Sequence, residues 1–133
     1  MEELKVSFPG GVRVDVAYKG HLIPTDQPEY AGGGGTAPSP FDLFLASLAA
    51  CAGYYFLAFC QARKLTMQGG GLSMRMERSP QTKMIERVEI VLQLPPGFPE
   101  HYTPAVIKAV DACTVRAHLL QPPTIQVLTQ KAD

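Results

Sequence analysis

Hydrophobic and polar positions fall into three kinds of pattern along this chain. Near the N-terminus Leu4, Val6 and Phe8 alternate with Lys5 and Ser7, and Val12, Val14, Val16 and Tyr18 alternate with Arg13, Asp15 and Ala17. Successive side chains of a strand point to opposite faces, so each stretch predicts a strand with one apolar face. Pro9-Gly10-Gly11 and Lys19-Gly20 read as turns, and His21-Leu22-Ile23 is a short third strand stopped by Pro24, giving an antiparallel meander. The same period of two returns at Leu72, Met74 and Met76, and again in the Ile85 to Leu94 stretch, with Val88, Ile90, Leu92 and Leu94 on one side. Thr124 to Leu128 predicts a last strand after Pro122-Pro123.

The second pattern is an uncharged run from Leu43 to Cys60. Ser39 is a good N-cap, Pro40 suits the first helical position, and Asp42 completes a variant capping box, so a helix starts sharply here. Arg63 and Lys64 end it where cations suit a helix C-terminus. A membrane span needs about 20 apolar residues, and this run approaches that length. Its many small residues (Ala46, Ala49, Ala50, Ala52, Gly53, Ala58), together with Ser47, Tyr54 and Tyr55, favour a buried core helix and no membrane span. The third pattern is a stripe of Val106, Val110, Cys113, Ala117 and Leu120, spaced four, three, four and three after Thr103-Pro104. That spacing lines one face of a second helix. The order βββ-α-ββ-α-β, with strands and helices grouped, indicates an α+β fold with a mostly antiparallel sheet, and 133 residues suit a single domain over 1–133.

Charge narrows the partners. Twelve basic residues balance twelve acidic ones, Trp is absent, and no basic stripe appears, which argues against a nucleic-acid binder. MEELKVSF lacks the pattern of a secretory signal, so a cytoplasmic protein is expected. The loop from Thr25 to Ala37 holds Gly32 to Gly35 but lacks the Lys-Ser/Thr of a phosphate-binding loop, and reads as a flexible approach loop.

The chemistry rests on three cysteines. An odd number argues against a disulfide-stapled fold. Cys51 lies beyond the first turn of the long helix, so that helix's own dipole does little for it, whereas Ser47, Tyr54 and Tyr55 offer hydroxyls within a turn. Cys113 sits on the apolar stripe with Arg116 one turn on, where a cation would lower a thiol pKa. Cys60 is nine residues beyond Cys51, faces the other side of the helix, and reads as a small core residue. Either of the other two would also serve as a core residue, and spacing does not show that they meet. His21, His101 and His118 form no ligand-spaced motif with the cysteines, so no metal and no cofactor are expected.

The segment P-F-D-L-F-L-A-S-L-A-A-C at 40–51, followed by V-D-A-C-T-V-R-A-H-L at 110–119, resembles the OsmC/Ohr family of osmotically inducible and organic-hydroperoxide-resistance proteins. The resemblance covers nearly the whole chain. It implies an intertwined homodimer with the long helices at its centre. It further implies that Cys51 is a peroxidatic thiol, Cys113 its resolving partner, an organic hydroperoxide the substrate, and an external dithiol the reductant. Three positions depart from the peroxidase branches. Phe41 stands where a Glu is common, Thr114 where Pro often follows the second cysteine, and Arg13 lies near the place of a thiolate-holding Arg. These departures keep a second expectation in play: a dimer of the same fold that binds a small molecule or lipid without peroxidase activity.

Overall fold

The computed structural model describes residues 1–132 and divides into two compact units, the first Met1–Ser47 and the second beginning at Leu48. In the first, β1 (Lys5–Gly10), β2 (Arg13–Tyr18) and β3 (His21–Thr25) form an antiparallel sheet in the order β1-β2-β3. The register pairs Val6 with Val16 and Val16 with Ile23, so the valine face predicted for β2 continues onto both neighbours. β3 does not stop before Pro24 but runs through it to Thr25, which an edge strand tolerates because the missing N–H can face away from the ladder. Asp15, expected on the open polar face, is buried between Ser7 and Pro24 of the flanking strands. Its Oδ1 has no hydrogen-bond partner among the described residues.

The glycine-rich loop is not an unstructured approach segment. Asp26, 2 % exposed, gathers it. Its Oδ1 accepts the Gln27 N–H at 2.7 Å, and its Oδ2 accepts the N–H groups of Gly34 (3.2 Å) and Thr36 (3.0 Å) and the Thr36 hydroxyl (2.7 Å). A short 3-10 turn at Glu29–Ala31 and bonds from Gly33 N–H to Pro28 and from Gly35 N–H to Gln27 complete the fold of the loop. Glycine at 33 is required by contact, because a Cβ there would lie on the Gln27 carbonyl. These donors hold the Asp26 carboxyl down to about 2, with the Thr36 hydroxyl the main cause.

The long helix α1 (Pro40–Ala62) begins as expected, with the Asp42 N–H donating to the Ser39 hydroxyl at 3.2 Å. By length and composition it would suffice to cross a membrane, and its best window has a mean hydropathy of 1.9. Leu48, Ala52, Phe56, Phe59 and Cys60 nevertheless form a buried face. In the second unit this face meets Val106 and Val110 of α2 (Thr103–Asp111), with partly buried Leu72, Ile90 and Leu92 packed around them. The last three come from the hairpin of β4 (Gly71–Arg78) and β5 (Ile85–Gln93), where the register sets Leu72 against Leu92, Met74 against Ile90 and Met76 against Val88. One apolar face therefore covers the helices. Burying Phe56 or Phe59 alone is worth about 1.5–3 kcal/mol.

Two elements differ from the sequence reading. The second helix breaks at Ala112–Cys113 and restarts as α3 (Thr114–Leu120), although the apolar stripe continues through the break. Thr124 to Leu128 forms no strand, and Ile125, Val127 and Leu128 are each at least 80 % exposed. A strand needs a neighbour for its backbone groups, and after Pro122-Pro123 this segment pairs with none among the described residues.

Candidate active site

The break between α2 and α3 makes the site. Cys113 occupies the N-cap position of α3 with an extended backbone (φ −50°, ψ 131°) and makes no side-chain cap bond of its own. The first N–H groups of a helix have no partner within it, so those of Thr114 and Val115 remain available to a neighbouring acceptor. That acceptor is the Cys51 sulfur on α1. The structure thus brings together the two cysteines singled out in the sequence, one half-buried (Cys51) and one buried (Cys113), both as free thiols.

The environment separates their acidities. Burial opposes ionisation of Cys51, but the Cys113 thiol and the Val115 and Thr114 N–H groups outweigh it, and the Cys51 pKa falls below its ordinary value. Burial pushes the Cys113 thiol up; the Arg116 N–H works against that rise, and the adjacent Cys51 adds to it. The surroundings therefore favour ionisation of Cys51 over that of Cys113, whose thiol is placed to donate to Cys51. Cys60, in the core as expected, is also pushed up by burial, with the Arg63 charge acting the other way.

The structure brings Cys51 and Cys113 together, and it gives the hydroxyls expected beside Cys51 other partners. Ser47 donates its hydroxyl to the Phe44 carbonyl at 2.7 Å, and Tyr55 Oη pairs with Thr114 Oγ1 at 2.9 Å. Arg116 turns its guanidinium to Asp111, at 3.1 Å from the carbonyl and 3.9 Å from the carboxylate, and reaches Cys113 through its backbone N–H. The donors that matter are backbone groups exposed by a helix break, and no side-chain pattern announces them. Arg13 opens β2 in the N-terminal unit.

A cleft of about 280 Å3 opens beside Cys113, walled by Val88, Ile90 and Leu92 of β5, by Ile107 and Val110 of α2, and by the Asp111–Arg116 pair. Among the described residues no cluster of His, Cys, Asp and Glu has the makings of a metal site. Two free cysteines brought together at a helix start, next to an apolar cleft, make this the candidate site.

Comparison with known proteins gives the fold its family. Residues 32–128 match the family model described as OsmC-like protein, and the chain belongs to that family. Solved structures agree on the fold. A Psychrobacter arcticus protein described as an osmotic-stress-induced and detoxification-response protein superposes with a TM-score of 0.72 at 21% identity, covering 88% of this chain and 87% of its own. An OsmC-like protein from Mycoplasma pneumoniae gives 0.69 at 12% identity over 92% and 89% of the two chains. An organic hydroperoxide resistance protein from Legionella pneumophila gives 0.57 at 16% identity over 90% and 88%. A search of curated proteins finds no significant match.

Proposed function

We propose that this protein is a thiol-dependent peroxidase that reduces organic hydroperoxides in stress defence. The observation that carries the reading is the opposite displacement of the two adjacent thiols, Cys51 towards thiolate and Cys113 towards thiol. The Cys51 thiolate attacks the outer peroxide oxygen, the O–O bond breaks, and the alkoxide takes a proton and leaves as the alcohol. Cys51 is then a sulfenic acid. The Cys113 thiol attacks that sulfur, a Cys51–Cys113 disulfide forms, and water leaves with the thiol proton. An external dithiol reduces the disulfide by thiol exchange and is itself oxidised. Membership in the OsmC-like family and the hydroperoxide-resistance role of the Legionella relative support this reading.

The working unit in this proposal is a homodimer in a reducing cytoplasm. Tyr54 and Leu57 on α1, Phe8 and Leu22 on the N-terminal sheet, and the apolar C-terminal segment all lie exposed in the single chain. Every fully buried apolar side chain lies at Leu48 or beyond, so the N-terminal sheet has no core of its own and needs cover. Sedimentation equilibrium should give twice the 14.4 kDa chain mass.

The direct test is a thiol count with peptide mapping before and after one equivalent of cumene hydroperoxide. Rapid loss of two thiols as a Cys51–Cys113 disulfide is expected; three surviving thiols would overturn the proposal. A second reading, an apolar-ligand-binding dimer without catalysis, draws on Phe41 and on the apolar walls beside Cys113. It expects unreactive thiols and a ligand that native mass spectrometry finds co-purified.

A further inference from the structure

Tyr55 stands one turn of α1 beyond Cys51, so the two side chains share a face of that helix. Its phenol reaches far along the chain, and Tyr55 Oη pairs with Thr114 Oγ1 at 2.9 Å. Thr114 opens α3 directly after Cys113, and its N–H is one of the two main-chain donors to the Cys51 sulfur. A single residue of α3 thus meets α1 twice, through its hydroxyl at Tyr55 and through its N–H at Cys51. The Tyr55 ring is itself braced edge-on by Tyr54, with 5.5 Å between the ring centres.

α3 has little else to fix its place. Its seven residues make two turns, too few to be stable alone, and none of them is buried. Cys113 makes no side-chain cap bond. Arg116 and His118 spend their polar atoms within the α2–α3 segment. The Arg116 guanidinium meets Asp111, and His118 Nδ1 donates to the Thr114 carbonyl at 2.7 Å. Thr114 reaches across to α1 instead. Neither Tyr55 nor Thr114 belongs to the buried core, so their hydroxyls are not needed to fill it.

We propose that Tyr55 and Thr114 are positioning residues for Cys51: their paired hydroxyls clamp the start of α3 against α1 and keep the Thr114 and Val115 N–H groups directed at the Cys51 sulfur. Losing either hydroxyl frees the first turn of α3 to shift. The amides then meet the sulfur less well, and its charged form loses the donors that favour it. The clamp stands on its own geometry. That the sulfur it serves attacks a peroxide rests on the peroxidase reading.

The test is the rate of Cys51 alkylation by iodoacetamide against pH, resolved by peptide mass spectrometry, on the full chain with no peroxide present. Tyr55→Phe and Thr114→Val each remove one hydroxyl and keep the side chain's shape. Each is expected to raise the midpoint of the Cys51 profile by about half a pH unit, the scale of one hydrogen bond. The double variant should rise no further than either single one, because the two hydroxyls make one bond. Thr114→Ser is expected to keep the wild-type midpoint, and so is Tyr54→Phe. Thr114→Pro suits the first position of α3 after the extended Cys113 backbone and removes the N–H along with the hydroxyl, so its midpoint should rise furthest. The proposal is overturned by a wild-type midpoint in Tyr55→Phe or Thr114→Val, by additive shifts in the double variant, or by Thr114→Ser behaving like Thr114→Val. A Thr114→Pro shift no larger than that of Thr114→Val would overturn it too. Thiols that survive peroxide would remove the peroxidase reading and leave these midpoints untouched, so the two failures are told apart.

Discussion

Asp26 and Cys51 are two acidic groups approached by main-chain amides that favour their ionised forms, and they differ in what the fold leaves over. Asp26 spends both oxygens on Gln27, Gly34 and Thr36, all within one loop, and almost none of its surface remains. Its charge is fully consumed in closing the loop. Cys51 receives its amides from Thr114 and Val115, on a helix remote in sequence, together with a thiol that can itself react. Its residue keeps partial exposure, and its neighbour Cys113 lines an apolar cleft. The same physics, backbone N–H groups favouring negative charge, produces a structural clasp in one place and the makings of a nucleophile in the other. What decides is whether the donors saturate the anion.

The comparison breaks most sharply at the thiols. Cys51→Ser should bring turnover of cumene hydroperoxide down to the rate without enzyme, whereas Asp26→Asn should leave the rate per folded molecule near wild type; coupled peroxide-consumption assays distinguish the two. Cys113→Ser should consume about one equivalent of peroxide and stop, with a sulfenic acid at Cys51 that a dimedone adduct reports by mass spectrometry. Continued turnover would move the resolving step elsewhere.

Stability should sort the opposite way. Asp26→Asn should lower Tm by several degrees, because each lost charge-assisted bond leaves its loop donor less well satisfied. The pH dependence has a definite sign. The folded Asp26 pKa of about 2 lies below the unfolded value near 3.9, so its contribution is fully present above about pH 4 and fades as the pH falls towards 2. The gap in Tm between wild type and Asp26→Asn should therefore be constant from neutral pH to about 4 and close below it. A gap that widened in acid would contradict the assignment.

Smaller effects sharpen the same contrast. Native-state alkylation should show Cys51 titrating below the usual thiol value of ~8.5 and Cys60 above it, although both lie on α1. Cys60→Ala should cost about 1 kcal/mol by leaving a small gap in the core, read from urea unfolding. Arg116→Ala should hardly move the Cys51 titration, since its guanidinium is turned to Asp111.

Where sequence reading succeeded, the signal was local. The capped start of α1, the alternating strands and the apolar stripe of α2 each depend on near neighbours, and each appears in place. Family resemblance supplied the cysteine pair, which spacing did not. The failures share one cause, a partner distant along the chain. Nothing at Ala112–Cys113 forbids helix, neither Gly nor Pro, so the break was invisible, and with it the amides that serve Cys51. The glycine run looked slack because its organiser, Asp26, precedes it by several residues. A carboxylate at the head of a glycine-rich turn was the available clue. The strand expected over Thr124 to Leu128 does not form, because a strand also needs an edge to join.

That last segment carries a practical consequence. Three bulky aliphatics on an uncovered, unpaired stretch of backbone make an adhesive, and one that does not choose between right and wrong contacts. Anything that delays its cover, such as dilution or a bulky fusion at the C-terminus, lengthens the interval in which neighbouring chains can be glued out of register. A preparation in which this segment stays uncovered should show it first as turbidity.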